Sequence, residues 1–131
     1  MYQDNAYFCR TPADALTVWI AIDPATEDNG AVRYIPGSHK QGMLPHEASD
    51  VIGNSIGLAI PPAPASTNET SGSLDPGDAL IHHCQVIHRS EPNNSSHARC
   101  AFLMPFFGAH TPEDPKLIAG YRNARTVLEQ K

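Results

Sequence analysis

The sequence is poor in positive charge and has no long apolar run. Its 131 residues include nine Lys and Arg against fourteen Asp and Glu, which gives a formal net charge of -5, and the cations are scattered along the chain. Without a basic stripe a protein does not release counterions from nucleic acid, so nucleic acid is not an expected partner. No apolar run approaches the roughly 20 residues of a membrane-spanning helix. We therefore predict a soluble, cytoplasmic protein without a membrane partner.

Cysteine pairs are also lacking. The three cysteines, Cys9, Cys84 and Cys100, are odd in number and form no CxxC motif. Disulfide frameworks and structural zinc sites both depend on grouped cysteines. We expect three reduced thiols, buried in the interior.

Helical periodicity is scarce, whereas twelve prolines and nine glycines separate short apolar runs. This rhythm is typical of an all-β domain. The predicted strands are residues 15–23, 31–35, 57–61, 79–88 and 98–107. The Asn29-Gly30 pair predicts a hairpin between the first two strands, and only residues 121–130 look helical. A chain of this length forms one domain.

The strand 15–23 has two apolar faces of different character. One face carries Leu16, Val18, Ile20 and Ile22. The other carries Thr17, Trp19 and Ala21. Because side chains alternate along a strand, this pattern predicts a central strand that is at least partly covered on both sides.

The densest group of chemically capable residues is a cluster of histidines, His82, His83 and His88. Neutral imidazole is the commonest metal ligand, so the cluster indicates a metal site, although hydrogen-bonded core histidines would give the same pattern. Arg99 lies near the start of the last apolar strand. A buried guanidinium needs an anion, and its planar fork fits a carboxylate. A metal and a carboxylate pocket are therefore expected side by side.

A family resemblance is carried by four segments: MYQDNAYF, DALTVWIAIDPATEDNGAVRYIPGSHK, DPGDALIHHCQVIHRSEPNNSSHARCAF and FFGAH. Together they resemble the phytanoyl-CoA dioxygenase (PhyH-like) family of Fe(II)- and 2-oxoglutarate-dependent oxygenases. The resemblance implies an all-β, double-stranded β-helix (a jelly roll, cupin-like) with a short C-terminal helix. Residues 1–131 would form a single domain, the C-terminal portion of such an enzyme without its N-terminal region. The implied cofactor is Fe(II), with 2-oxoglutarate and O2 as cosubstrates and a small-molecule substrate.

The resemblance also implies roles for individual residues. In the family a His-x-Asp motif and a distal histidine hold the iron, which makes Asp4 and His88 the expected metal ligands. Arg99 would bind the far carboxylate of 2-oxoglutarate, assisted by Ser90, and Trp19 would line the cosubstrate pocket.

Tyr2 occupies the position of the first histidine of that motif. A phenol has an unperturbed pKa of about 10 and is therefore a poor Fe(II) ligand near neutral pH. With two protein ligands remaining, weak iron binding is expected. Of the adjacent histidines His82 and His83, the resemblance favours His83 as the one that faces the pocket.

Two alternatives stay open beside a dioxygenase that hydroxylates a small or medium-sized organic substrate. The first is a degenerate, non-catalytic jelly-roll protein, which Tyr2 favours. The second is a cupin-like metal-binding module that uses His82, His83 and His88 and has no need of Arg99. In each case an uncovered sheet edge would permit self-association.

Overall fold

The computed structural model describes residues 1–51, 54–63 and 68–129. Its strands are β1 (Ala15–Ala21), β2 (Arg33–Tyr34), β3 (His46–Ala48), β4 (Ile56–Leu58), β5 (Thr70–Ser71), β6 (Ala79–His83), β7 (His88–Arg89) and β8 (Ala101–Phe107). Its helices are α1 (Asn5–Phe8), a short 3-10 helix (Ser38–Gln41) and α2 (Pro115–Glu129). The prediction of a mostly β chain with a C-terminal helix is confirmed. No helix among the described residues is long and apolar enough to cross a membrane.

The largest sheet has the order β6-β1-β8, and both pairings are antiparallel. In this register Thr17 of β1 lies opposite His82 of β6 and Pro105 of β8. Thr17 and Trp19 are buried, so His82 shares the inner face of the sheet with them. This face forms one wall of the interior.

A second small sheet, with the order β5-β2-β7, places Tyr34 opposite His88. The start of the chain joins this sheet through two backbone hydrogen bonds between Tyr2 and His88, of 3.0 and 3.1 Å. The third sheet pairs β3 with β4, and α2 contacts both of these strands. The first residues of the chain therefore continue the second sheet beyond β7, and the Met1 carbonyl oxygen accepts a hydrogen bond of 2.9 Å from the Leu58 N–H of β4.

The predicted hairpin between residues 15–23 and 31–35 is wrong. Both edges of β1 are occupied by β6 and β8, which leaves no edge for β2. The connection instead brings Gly30, with a φ of +83°, against the backbone of Glu91, where a Cβ would lie 2.4 Å from the carbonyl oxygen. Glycine at this turn therefore serves a close backbone approach rather than a hairpin.

The predicted partial covering of β1 on both faces is confirmed only in part. The mixed face is the buried one. The aliphatic face is half-buried at Val18 and Ile20 and exposed at Leu16. Its exposed members, with those of the neighbouring strands, form an outer apolar face: Leu16, Ile81, Phe102 and Phe106. Hydrophobicity alone suggested the opposite, because the side with more aliphatic side chains is usually the buried one.

Several predicted boundaries change. The predicted strand 79–88 is interrupted after His83, and residues 98–100 precede β8 rather than belonging to it. The predicted helix 121–130 begins earlier, at Pro115, where Asp114 accepts a hydrogen bond from the Lys116 N–H; Gln130 lies outside the described residues. An Asp-Pro pair is a normal helix start. All three thiols are free, but Cys100 is exposed rather than buried.

Candidate metal centre

The segment that carries Asp4 is held in place by its neighbour Gln3, which is completely buried. The Gln3 amide donates hydrogen bonds to the carbonyl oxygens of Gly42 and Gln85, and its own oxygen accepts one from the Leu44 N–H. Since residues two apart in an extended segment share a side, Tyr2 and Asp4 lie away from Gln3. Gln3 is a structural anchor that the sequence analysis missed.

Three side chains converge at the centre of the molecule: Asp4, His82 and His88. His82 Nε2 lies 2.9 Å from Asp4 Oδ2, and His88 Nε2 lies 3.3 Å from Asp4 Oδ1. Both imidazoles are buried, and one ligand atom from each of the three residues lies within 4.8 Å of the others. Thr17 Oγ1 donates a further hydrogen bond of 2.6 Å to Asp4 Oδ2.

The hydrogen bonding of His88 suits a metal ligand. Its Nδ1–H donates to the Val86 carbonyl oxygen over 2.9 Å, because a carbonyl can only accept. In the neutral ring this leaves a lone pair on Nε2, directed at the Asp4 carboxylate. A ligating histidine typically donates its other N–H in this way.

The spacing of the donor atoms suits a divalent cation. Neighbouring ligands at about 2.1 Å from an octahedral ion lie about 3 Å apart. The distances of 2.9 and 3.3 Å that join Asp4 to His82 and His88 match this spacing. One carboxylate with two imidazoles is also the donor set of non-haem Fe(II) oxygenases. The residues present therefore fit an iron ion.

The charge of Asp4 is favoured in this setting. Burial alone would raise the pKa of the carboxyl, but the neighbouring imidazoles of His82 and His88 and the hydrogen bond from Thr17 outweigh it and hold the pKa well below the usual range. A carboxylate must be deprotonated to bind a metal. Asp4 is therefore ready to act as a ligand at neutral pH.

Two tyrosines surround His88. The Tyr2 ring centroid lies 4.3 Å from that of His88, and the Tyr34 ring lies nearly parallel to His88 at 5.7 Å. Burial, and then the charge of Asp4, raise the pKa of Tyr2 to about 12 and shift the pKa of Tyr34 in the same direction. Both phenols stay neutral under ordinary conditions.

Arg99 borders the same region. Its guanidinium carbon lies 5.6 Å from the centre of the Trp19 ring, and Nη2 donates to Ser90 Oγ over 3.4 Å. Its charge partly counteracts the upward shift of the Tyr2 pKa. Within the described part of the chain no carboxylate forms an ion pair with Arg99, which is half-buried rather than buried as predicted. A half-buried guanidinium without such a partner favours the binding of an external anion.

The structure thus brings Asp4 and His88 together, but the expectation for His83 is wrong. His83 lies on the outer face of the sheet, where its ring contacts His39 at 5.5 Å, and His82 points to the interior. Adjacent residues in a strand face opposite sides, and only the register of β6 against Thr17 decides which histidine is inside. The sequence carries no signal for that choice.

Comparisons with known proteins identify the class to which this fold and site belong. Residues 1–101 match the sequence profile of the phytanoyl-CoA dioxygenase family, PhyH. Because this match covers most of the sequence, the chain belongs to the phytanoyl-CoA dioxygenase family, and the predicted membership is confirmed.

Individual relatives agree with this assignment. The chain is 35% identical over 104 residues to a probable phytanoyl-CoA dioxygenase of Caenorhabditis elegans, covering 77% of this chain and 33% of the relative. It is 30% identical over 111 residues to a probable alpha-ketoglutarate-dependent hypophosphite dioxygenase of Stutzerimonas stutzeri, covering 82% of this chain and 39% of the relative. The chain therefore spans between a third and two fifths of the length of these relatives.

Solved structures show the same likeness. The non-heme monooxygenase ThoJ in its apo form has a TM-score of 0.72 and 28% identity, over 86% of this chain and 40% of ThoJ. EvdO2 from Micromonospora carbonacea, complexed with 2-oxoglutarate, has a TM-score of 0.64 and 27% identity, over 88% of this chain and 48% of EvdO2.

Proposed function

We propose that this chain is the iron-binding part of an Fe(II)- and 2-oxoglutarate-dependent dioxygenase that hydroxylates a small or medium-sized organic substrate. The observation that carries the proposal is the buried cluster of Asp4, His82 and His88 beside Arg99, a cation that forms no ion pair with any described residue. The alpha-ketoglutarate-dependent relative and the structure of EvdO2 with 2-oxoglutarate support it. In this proposal residues 1–131 are a single double-stranded β-helix domain.

In this proposal each residue of the site has a separate role. Asp4 and His88 hold Fe(II), which when bound supplies the activation of O2 that the protein's own side chains lack. Arg99 binds the far carboxylate of 2-oxoglutarate with its planar fork, and Ser90 orients the guanidinium. Trp19, buried beneath Arg99, keeps water away from that ion pair and so strengthens it.

An open cavity of about 350 Å³ lies next to β6, but neither Asp4 nor His88 lines it. Its lining includes Leu16, Ile81 and Phe106 of the outer apolar face, so it does not carry the proposal of a substrate site. We retain a small or medium-sized organic molecule as the proposed substrate and the cytoplasm as the proposed location.

One observation favours a second candidate, a non-catalytic member of the family. Tyr2 stands where the resemblance implies a ligand, and its ring packs against His88. The cupin-like alternative receives no such support, because His83 lies on the opposite face of the sheet from His82.

Turnover of 2-oxoglutarate separates these candidates. The chain would be incubated aerobically with Fe(II), ascorbate and 2-oxoglutarate, and succinate would be measured. We expect slow succinate release from the parent chain and none from His88→Ala, with His110→Ala, an exposed histidine, as the matched control that keeps the parental rate. A parent chain that binds both Fe(II) and 2-oxoglutarate but releases no succinate would establish the non-catalytic candidate.

A further inference from the structure

We infer that His82, a residue of β6, is the third protein ligand of the iron and takes the place of the histidine that is missing at position 2. The identity of the metal as iron rests on the proposed function, whereas the geometry of the Asp4, His82 and His88 cluster is independent of it. His82, unlike the His-x-Asp histidine of the family, comes from a different strand, so the donor set of this chain is assembled from three separate elements.

The position of the ring carries the inference. His82 Nε2 lies 2.9 Å from Asp4 Oδ2, on the inner face of the sheet, and the two imidazole centroids of His82 and His88 are 4.9 Å apart. One ion can therefore contact Asp4, His82 and His88 together. Three protein ligands also leave three positions of an octahedral iron open, which is the number that a bidentate oxoacid and O2 require.

Residue 2 does not compete for this role. The Tyr2 ring lies tilted against His88, at 57° between the ring planes, and packs edge to face with Tyr7 at 5.7 Å. Among the described residues, His82 is the second imidazole of the cluster and the one that reaches Asp4 from the side of β1 and β6.

The proton of the His82 ring distinguishes a ligand from a hydrogen-bond donor. Its Nδ1 is buried and has no hydrogen-bond partner within the described part of the chain, so Nε2 makes the only polar contact of the ring. A neutral imidazole carries one proton. With that proton on Nδ1, the Nε2 lone pair is directed at the cluster and can bind the metal. With the proton on Nε2, His82 would only donate to Asp4 and would not be a ligand.

An anaerobic calorimetric titration with Fe(II) distinguishes these roles. The variants are His82→Asn and, as matched control, His83→Asn, which changes the adjacent histidine on the outer face. An Asn amide can still donate a hydrogen bond to Asp4 but does not replace an imidazole ligand. We expect His82→Asn to lose about 100-fold in affinity or more, since losing only a hydrogen-bonded partner of a ligand already costs about 10- to 100-fold. We expect His83→Asn to stay within about threefold of the parent. Parental affinity in a folded His82→Asn variant would overturn the inference.

A second measurement does not depend on how well the variant folds. In the Co(II)-loaded parent chain, a ligating imidazole gives a strongly shifted proton resonance from its remaining N–H. We expect two such exchangeable resonances in the parent and in His83→Asn, and one in His82→Asn. One resonance in the parent would overturn the inference.

These readouts need neither 2-oxoglutarate nor turnover. Two shifted resonances without succinate release would retain His82 as a ligand and contradict the dioxygenase activity. One shifted resonance with succinate release would retain the dioxygenase activity and contradict the role of His82 as a ligand. A chain that binds neither metal would overturn both proposals.

Discussion

Thr17 Oγ1 donates a hydrogen bond of 2.6 Å to Asp4 Oδ2, and this contact ties the first turn of the chain to the central strand β1. The same oxygen faces His82 Nε2 at 2.9 Å, whereas Oδ1 faces His88. The carboxylate is therefore oriented by Thr17 before any metal arrives. Such pre-orientation removes part of the ordering cost of binding.

We predict that Thr17→Val lowers Fe(II) affinity by about 10- to 100-fold, because a hydrogen-bonded partner of a metal ligand typically contributes that much. Anaerobic titration measures the effect. Thr126→Val, which removes an exposed hydroxyl bonded to the Arg122 carbonyl oxygen, is the matched control and should keep parental affinity. Equal affinities for both variants would mean that Asp4 is oriented by other contacts.

Arg99→Ala should weaken 2-oxoglutarate binding to the metal-loaded chain by about 2 to 5 kcal/mol, because a bidentate, charge-assisted contact is lost. Arg99→Lys should recover only part of this loss, since an ammonium lacks the planar fork. Calorimetry with 2-oxoglutarate measures both. Arg122→Ala on the exposed side of α2 is the control. Unchanged affinity in Arg99→Ala would remove Arg99 from the cosubstrate site.

Tyr2→Phe should leave Fe(II) affinity within about twofold of the parent value. Burial and Asp4 raise the pKa of Tyr2 to about 12, so below pH 9 its phenol is neutral and a poor ligand. The same titration, run at pH 7 and pH 9, tests this. A large loss in Tyr2→Phe would show that the phenol oxygen binds the metal.

A different site sets an acid limit to stability. Arg89 donates two hydrogen bonds to Glu69, of 2.9 and 3.0 Å, and they lower the pKa of Glu69 below its ordinary 4.5. Because the folded pKa is the lower one, the stabilisation is fully present above the unfolded pKa and is lost as the pH falls through the folded pKa.

Glu69→Gln should therefore lower the free energy of unfolding at pH 7 by about 1 to 3 kcal/mol, and the difference from the parent should shrink as the pH falls below 4. Denaturant unfolding at pH 7, 5 and 3 measures it. Glu129→Gln, which alters an exposed pair with Arg125, should change stability by less than about 0.5 kcal/mol. A difference that persists unchanged at pH 3 would show a steric cause.

The outer apolar face leads to a prediction about association. Phe102 is 55% exposed there and lies opposite Ile20 of β1. Exposed apolar patches of this kind promote association. We predict that the chain self-associates with rising concentration in sedimentation measurements and that Phe102→Ser reduces this. Val127→Ser, at a position of α2 that is 48% exposed, should not reduce it. A parent chain that stays monomeric would contradict the prediction.

Local sequence was sufficient for some of these features. The family could be identified from short sequence motifs, because Asp4, His88 and Arg99 stand in segments whose residue types and spacings are typical of it. The strands β1 and β8 could be located because extended apolar runs bounded by turn residues have a local signature. The short strands β3 and β5 could not, because two or three residues carry too little pattern.

The sequence by itself determined that His82 and His83 would lie on opposite faces of one strand, since alternation is a property of the extended backbone. It did not determine which of them faces Asp4. That choice depends on the register of β6 against β1, which sets His82 opposite Thr17, and on the attachment of Tyr2 to His88 that brings Asp4 to the same place. Both are contacts between distant parts of the chain, so only the tertiary structure decided them.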